Sequence, residues 1–98
     1  MKIFLDTAEV DEIHRRHNGL LSGVTTNPTL IRKSGRDPHD VYSEIINLGI
    51  KDLSIEVRGE HFDELIANGI EAANEYGERA TIKLPCTPDG LKACKYLT

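Results

Sequence analysis

The 98-residue sequence lacks tryptophan and is poor in aromatic side chains, which make up 5% of it. It also lacks any run of lysine and arginine, because its 12 basic and 16 acidic residues are interspersed and leave a net charge of -4. A surface for nucleic acid or for an anionic membrane needs clustered positive charge. We therefore expect neither nucleic acid nor a membrane among the partners of this protein.

Long apolar runs and cysteine clusters are missing as well. The apolar start of the chain is far too short for a signal peptide, and no window approaches the ~20 apolar residues of a membrane span. A hydrophobic share of 39% and a charged share of 29% predict one globular domain, which we expect in the cytoplasm. The two cysteines, Cys86 and Cys94, form no C-x-x-C motif, so both are predicted to be free thiols and Cys86 a small packing residue.

Short β-like runs alternate with helix-like stretches, a pattern that predicts parallel strands joined by crossover helices. Strands are predicted at 2–5, 21–25, 52–57 and 79–84, and helices at 8–17, 28–33 and 38–48. A third crossover helix is predicted from a stripe formed by Phe62, Leu65, Ile66, Gly69, Ile70 and Ala73. Asp6 or Thr7 is predicted to cap the first helix, and Thr87 the last one, with Pro88 in its first position.

Four such βα units of roughly 20 to 30 residues correspond to half of a barrel that has ~250 residues in eight units. The predicted fold class is therefore α/β, of the (β/α)8 TIM-barrel type. Residues 1–98 would form about the first four βα units, that is, the N-terminal half of a single barrel domain.

Polar residues stand at the carboxyl end of each predicted strand. Because side chains alternate along a strand, the apolar residues suit the helix layer and leave Lys83 and Glu56 on the inner face. Asp6 shares this inner position at the end of strand one, as do Thr25 and Asn27 at the end of strand two. Catalytic groups of barrels cluster at these strand ends. These five residues are therefore the candidate site.

The candidate residues suit covalent catalysis on a ketone. Barrel walls around Lys83 would remove water from its amine and favour the neutral, nucleophilic form. Schiff-base formation and carbon–carbon cleavage then require proton transfers, for which Asp6 and Glu56 are suitable, directly or through water. Asn27 and Thr25 would orient substrate hydroxyls.

Each candidate also has a simpler interpretation that the residues alone leave open. Lys83 could be an exposed charge that protects a strand from aggregation. Asp6 could cap the first helix together with Glu9, and Asn27 could cap the second. Glu56 could be a solvated charge at a strand end.

Motifs for metals and cofactors are absent from the sequence. His14 and His17 lie three residues apart on the first predicted helix, but no third ligand stands nearby, so both are interpreted as solvated. No glycine-rich phosphate loop or nucleophile elbow is present. No metal site is predicted.

Three segments carry a family resemblance: residues 4–8 (FLDTA), residues 23–31 (GVTTNPTLI) and residues 82–91 (IKLPCTPDGL). They resemble the small transaldolase family, which includes fructose-6-phosphate aldolase. The resemblance implies a class I aldol mechanism without metal or organic cofactor. It places the Schiff-base lysine on Lys83 and the general acid/base on Asp6. The substrate-orienting asparagine falls on Asn27.

The resemblance also bears on the reaction and on the missing units. Glu56 stands where the aldolase branch typically has glutamine, which favours transfer of dihydroxyacetone between sugar phosphates, as in the pentose phosphate pathway. Family members have four further βα units, which hold the phosphate-binding residues. We therefore expect sugar-phosphate substrates and either a homo-oligomer or a complementing C-terminal half. Fructose-6-phosphate aldolase and a noncatalytic half-barrel assembly or binding module remain alternatives.

Overall fold

The computed structural model describes residues 1–17 and 19–98. The strands are β1 (Phe4–Asp6), β2 (Gly23–Thr25), β3 (Leu53–Glu56) and β4 (Ala80–Lys83). The helices are α1 (Val10–Arg16), α2 (Pro28–Ser34), α3 (Pro38–Asn47), α4 (Phe62–Tyr76) and α5 (Pro88–Leu97), and a short 3₁₀ turn (Gly77–Arg79) precedes β4. None of the helices in these two ranges is long and apolar enough to cross a bilayer.

The four strands form one parallel sheet in the order β1, β2, β3, β4. Leu5 pairs with Val24, Val24 with Leu53, and Ile55 with Ile82. Parallel neighbours require a crossover between consecutive strands, and each crossover in this chain contains at least one helix. The α/β class with a parallel sheet is thus confirmed.

Strand β1 lies further along the chain than predicted. The N–H of Ile3 donates to the Ser22 hydroxyl at 3.0 Å, so the regular strand begins only after it. At the other end the N–H of Thr7 donates to the carbonyl oxygen of Thr25 at 3.1 Å and continues the pairing. Asp6 is thus the last residue of the strand itself, and not the residue after it as predicted.

The prediction that Asp6 or Thr7 caps the first helix is wrong. Helix α1 begins after Glu9, whose side chain makes no cap hydrogen bond. The Thr7 hydroxyl instead accepts the Glu9 N–H at 3.1 Å and stabilises a turn between β1 and α1. The helix also ends before His17.

Helices α2 and α5 begin as predicted. Asn27 Oδ1 accepts the N–H of Leu30 at 2.9 Å, and Thr87 Oγ1 accepts the N–H of Gly90 at 3.0 Å. These bonds satisfy first-turn donors that have no partner within a helix. Helix α2 ends at Ser34 and is followed by Gly35, whose φ of 69° is a left-handed conformation that glycine adopts without strain.

The helices cover one side of the sheet and bury two apolar clusters there. The larger cluster joins the strands to α1, α2 and α3 through Ile13, Val24, Ile31, Val41, Ile45, Ile50, Leu53 and Ile55. The smaller cluster lies where α4 and α5 meet the sheet and contains Val57, Leu65, Ala72 and Ala93. Each fully buried leucine or isoleucine contributes roughly 1.5–3 kcal/mol. The core therefore fixes which face of each strand turns toward the helices.

Helix α4 buries Leu65, Gly69 and Ala72. The predicted stripe is right about Leu65 and Gly69, and Phe62 and Ile66 are partly buried against the smaller cluster. Ile70, however, is 44% exposed and Ala73 is also exposed. Successive helical residues are rotated by about 100°, so the face that presents 65, 69 and 72 to the core turns 70 away from it and leaves 73 at its edge.

The amino ends of α4 and α5 are joined through a side chain of α5. Asp89 Oδ2 accepts the N–H of Phe62, the first residue of α4, at 3.1 Å. His61 Nδ1 lies 3.8 Å from the same oxygen. The first turn of α4 is therefore completed by a residue from the following helix.

Cys86 and Cys94 are free thiols, as predicted, and both are exposed. Cys86 lies in the turn between β4 and α5, outside both apolar clusters. A packing role for Cys86 is therefore contradicted.

Candidate functional site

One face of the sheet carries polar residues at its carboxyl edge. Leu53 and Ile55 of β3 are buried in the core, so the alternate residue Glu56 lies on the opposite face. In the parallel register Glu56 pairs with Lys83, and Asp6 pairs with Thr25. The structure therefore places these four candidate residues on the face that the helices do not cover.

Lys83 is the last residue of β4 and is exposed. Its Nζ donates a long hydrogen bond of 3.5 Å to the carbonyl oxygen of Thr26. The expectation that barrel walls surround this amine is not met by the described residues, because the strands form an open sheet whose second face has no covering layer. Strand β4 also lies at the edge of the sheet, so the simpler interpretation of Lys83 as an edge-protecting charge agrees with its position as well.

Lys83, Glu56 and Asn27 line one shallow cleft at the carboxyl ends of β2, β3 and β4, together with residues 28–30. Glu56 is half-buried there, one strand away from the lysine. The cleft therefore joins a primary amine, a carboxylate and a carboxamide. These are a nucleophile, a proton-transfer group and a hydrogen-bonding group for substrate hydroxyls.

Asp6 and Thr25 form a second polar pair at the same edge. Thr25 Oγ1 donates to Asp6 Oδ1 at 2.8 Å, which orients the carboxylate of this exposed residue. Three strand spacings of ~4.8 Å separate β1 from β4, or ~14 Å in a flat sheet. The four strands alone therefore do not bring Asp6 to Lys83.

Asn27 acts as a helix cap, which was the simpler of its two interpretations. Its Oδ1 accepts the N–H of Leu30, so the Nδ2 amide group is left as a donor beside the cleft. The two interpretations are therefore compatible, because the cap fixes the orientation in which Asn27 would meet a substrate.

Thr26 is a residue that the sequence analysis missed. It is fully buried, with 0% of its surface exposed. Among the residues that the structure describes, it is the one polar residue in the core. Its hydroxyl donates to the Ser54 carbonyl oxygen at 2.8 Å, and its own carbonyl oxygen accepts the hydrogen bond from Lys83. Strand alternation after Thr25 turns position 26 toward the core, where a hydroxyl is unexpected, and this was the available signal.

A larger cleft of about 720 Å³ lies on the helix side of the sheet and contacts the candidate residues only at Glu56. Tyr42 and Tyr76 pack edge to face there with their ring centres 5.6 Å apart. Burial raises the pKa of both tyrosines, and raises that of Tyr76 to about 12 with help from the nearby Glu75 carboxylate. His39 Nδ1 connects α3 to α4 through Glu75 Oε1 at 2.6 Å and the Tyr76 hydroxyl at 3.1 Å. These contacts tie the helices together behind the candidate site.

Among residues 1–17 and 19–98, no three His, Cys, Asp or Glu side chains come together as metal ligands. His14 is exposed, whereas His17 is only partly exposed and follows the end of α1. The interpretation of both as solvated helix residues therefore applies to His14 alone.

Comparison with known proteins connects this arrangement to one family. The family model described as Transaldolase/Fructose-6-phosphate aldolase matches residues 3–98. Curated proteins named probable transaldolase are 50% identical in Dinoroseobacter shibae, 48% in Ruegeria sp. (strain TM1040) and 43% in Nitrosopumilus maritimus. Each similarity covers 100% of this chain but only 44% or 45% of the relative. The chain thus spans about half the length of the curated relatives it matches.

Proposed function

Because the chain belongs to the transaldolase/fructose-6-phosphate aldolase family, we propose that it supplies the Schiff-base half of a transaldolase that transfers dihydroxyacetone between sugar phosphates. One observation carries the proposal. Lys83 and Glu56 are register partners at the carboxyl ends of adjacent strands, and Asn27 lines the same cleft. Together they place an amine, a carboxylate and a carboxamide along one cleft, which is the set of groups that Schiff-base chemistry on a ketose requires.

The proposed reaction begins when the neutral Nζ of Lys83 attacks the ketone carbon of a ketose phosphate. Loss of water gives an iminium ion, and removal of a hydroxyl proton allows the adjacent carbon–carbon bond to break. An aldehyde leaves and an enamine stays on Lys83. The enamine attacks an acceptor aldehyde, whose oxygen gains a proton, and hydrolysis of the new iminium ion restores the amine.

The carboxylates would carry the protons of this sequence. Glu56 lies beside Lys83 and would exchange protons during formation and loss of the carbinolamine, directly or through water. Asp6, oriented by the Thr25 hydroxyl, would take the hydroxyl proton during bond cleavage and return it during bond formation. Asn27 Nδ2 would hold a substrate hydroxyl in place.

A complete barrel is part of the proposal. Strands β1 and β4 lack a second neighbour in the described sheet, so four further βα units would close a (β/α)8 barrel in which residues 1–98 form one half of a single domain. The units would come from the same polypeptide, from a complementing C-terminal half or from another copy. Closure would bring Asp6 toward Lys83 and remove water from the lysine amine, which favours the neutral nucleophile.

Fructose-6-phosphate aldolase is the second candidate, since the matching family includes this activity by name. The two reactions share the lysine intermediate and differ in the fate of the enamine, which is protonated in the aldolase and passed to an acceptor in the transferase. Release of glyceraldehyde 3-phosphate and free dihydroxyacetone without an acceptor sugar would favour the aldolase. We expect little release with Glu56 present and more in Glu56→Gln.

The decisive experiment is borohydride trapping of the protein carrying this chain, with the complementary half supplied and fructose 6-phosphate as substrate. Mass spectrometry should find the reduced adduct on Lys83. The adduct should be lost in Lys83→Ala and retained in Lys92→Ala, which removes an exposed lysine from α5. Absence of an adduct on Lys83 would contradict the proposed function and leave a noncatalytic assembly or binding module.

A further inference from the structure

Thr26 links the buried core to the amine of Lys83. Both its N–H and its hydroxyl donate to the same acceptor, the carbonyl oxygen of Ser54, at 3.2 and 2.8 Å. The backbone between β2 and α2 is therefore held to β3 by two hydrogen bonds from one residue.

The second link runs from this fixed backbone to the lysine. The carbonyl oxygen of Thr26 accepts from Lys83 Nζ across the width of β3, since Thr26 follows β2 and Lys83 ends β4. A lysine side chain has four rotatable bonds and loses up to ~2 kcal/mol of conformational entropy when it is held in one place. A fixed acceptor at the cleft therefore restricts the conformations of the lysine side chain before substrate binds.

We propose that Thr26 is a positioning residue for Lys83: its buried hydroxyl fixes the Thr26 carbonyl group, and this carbonyl holds the lysine amine over the cleft beside Glu56. The consequence of this contact for catalysis rests on the proposed function. The position of the amine does not, because Lys83 Nζ contacts the Thr26 carbonyl oxygen in the absence of substrate.

The position of Thr26 in the core also has a purely structural interpretation, in which the hydroxyl only joins β2 to β3. That role would lower stability on mutation but would not affect the lysine. A suitable test therefore has to report on Lys83 itself. It also has to separate loss of the Thr26 hydroxyl from loss of the branched shape of the side chain.

Thr26→Val keeps the branched shape and removes the donor, whereas Thr26→Ser keeps the donor. Thr81→Val is the control for loss of a threonine hydroxyl between strands, because the exposed Thr81 hydroxyl of β4 donates to Oδ1 of Asp52, the residue before β3, at 2.6 Å. The three variants and the unmodified protein, each with the complementary half present, are first checked for folding by circular dichroism. All rates are then compared per folded molecule.

The first measurement needs no enzymatic activity. Acetic anhydride labels free amines, and mass spectrometry gives the labelling rate of Lys83 relative to Lys92 at one pH. Thr26→Val should raise this ratio by about three- to tenfold, the factor that corresponds to loss of the hydrogen bond between Lys83 Nζ and the displaced Thr26 carbonyl oxygen, while Thr26→Ser and Thr81→Val leave it near the original value. An unchanged ratio in Thr26→Val would overturn the proposal.

The second measurement is the rate of borohydride trapping at saturating and at low fructose 6-phosphate. Thr26→Val should lower the saturating rate by a similar factor with little change in apparent affinity, and Thr26→Ser should restore it. If the unmodified protein forms no adduct on Lys83, the proposed function fails while the labelling result still decides the position of the amine. A normal saturating rate in Thr26→Val would show that Thr26 is structural only.

Discussion

Gly90 lies at the start of α5, where the helix meets the turn that follows Lys83. It is buried, and a Cβ added to it would lie 1.8 Å from the Pro85 carbonyl oxygen and 2.9 Å from the Pro85 carbonyl carbon. Both are backbone atoms, so no rotation of a side chain relieves the overlap. In Gly90→Ala the helix therefore has to move away from the end of β4.

The size of the effect follows from two opposing contributions. Alanine is a better helix former than glycine by up to ~1 kcal/mol. The added Cβ would lie 1.8 Å from the Pro85 carbonyl oxygen, whereas two such atoms need about 3.5 Å. Overpacking of a rigid site costs typically about 1–3 kcal/mol, occasionally more. Since the obstacle is backbone, which cannot rotate away, the cost of overpacking should lie at the upper end of this range. The expected net loss of unfolding free energy is about 2–3 kcal/mol.

Gly69 in α4 offers a matched control, because it is also a buried helical glycine. Its added Cβ would meet Leu97 Cδ1 at 2.8 Å, which is the far end of a flexible side chain. The leucine can rotate away, so Gly69→Ala is expected to stay within about 1 kcal/mol of the original protein.

Urea unfolding followed by circular dichroism would compare both variants in the protein carrying this chain. The midpoint of Gly90→Ala should fall clearly below that of Gly69→Ala at an unchanged slope. Equal midpoints, or a stabilised Gly90→Ala, would refute the close approach of α5 to the Pro85 carbonyl group. Borohydride trapping should also weaken in Gly90→Ala, because the displaced turn begins one residue after Lys83.

Three further predictions concern the core, a helix cap and a buried phenol. Leu53→Ala, at a position with 0% exposure, should lower the unfolding free energy by about 2–5 kcal/mol, whereas Leu91→Ala, at 62% exposure, should change it by less than about 0.5 kcal/mol in the same urea assay. Thr87→Ala removes the α5 cap and should cost about 1 kcal/mol, with Thr87→Ser close to the original; equal stability of all three proteins would argue against the cap. Burial raises the pKa of Tyr76 from 10.0 to about 12, so its contribution to stability is complete below pH 10 and is lost as the pH rises from 10 to 12. Tyr76→Phe should remove that alkaline loss in urea melts, and a phenol absorbance change near pH 10 assigned to Tyr76 would contradict the raised pKa.

Local sequence patterns were sufficient to predict the parallel sheet and the starts of two helices. Alternation of Leu53 and Ile55 with polar residues predicts which face of β3 meets the helices, because strand geometry has a period of two. Asn27 and Thr87 each precede a proline, and a side-chain acceptor before a proline is typical of a helix start. These features depend on neighbours in the chain, which the sequence displays directly.

Features that depend on distant contacts were not predictable in the same way. The Ile3 N–H meets a hydroxyl nineteen residues away, and this contact shifts the start of β1. Ile70 fits a helical stripe but is exposed, because the direction in which α4 turns depends on the sheet and on α5. For the candidate site, the common face of Lys83 and Glu56 followed from parity, whereas the exposure of the amine and its contact with Thr26 required the arrangement of whole strands.

The hydrogen bond from the Phe62 N–H to Asp89 has a consequence for how such a chain can be divided. It links the start of one βα unit to the helix of the next, so the units are not interchangeable modules with boundaries after each helix. A polypeptide cut between β4 and α5 would leave the first turn of α4 without its partner and without a covering helix. Splitting of the gene is therefore expected to destabilise α4 more when the break falls between β4 and α5 than when it falls after α5.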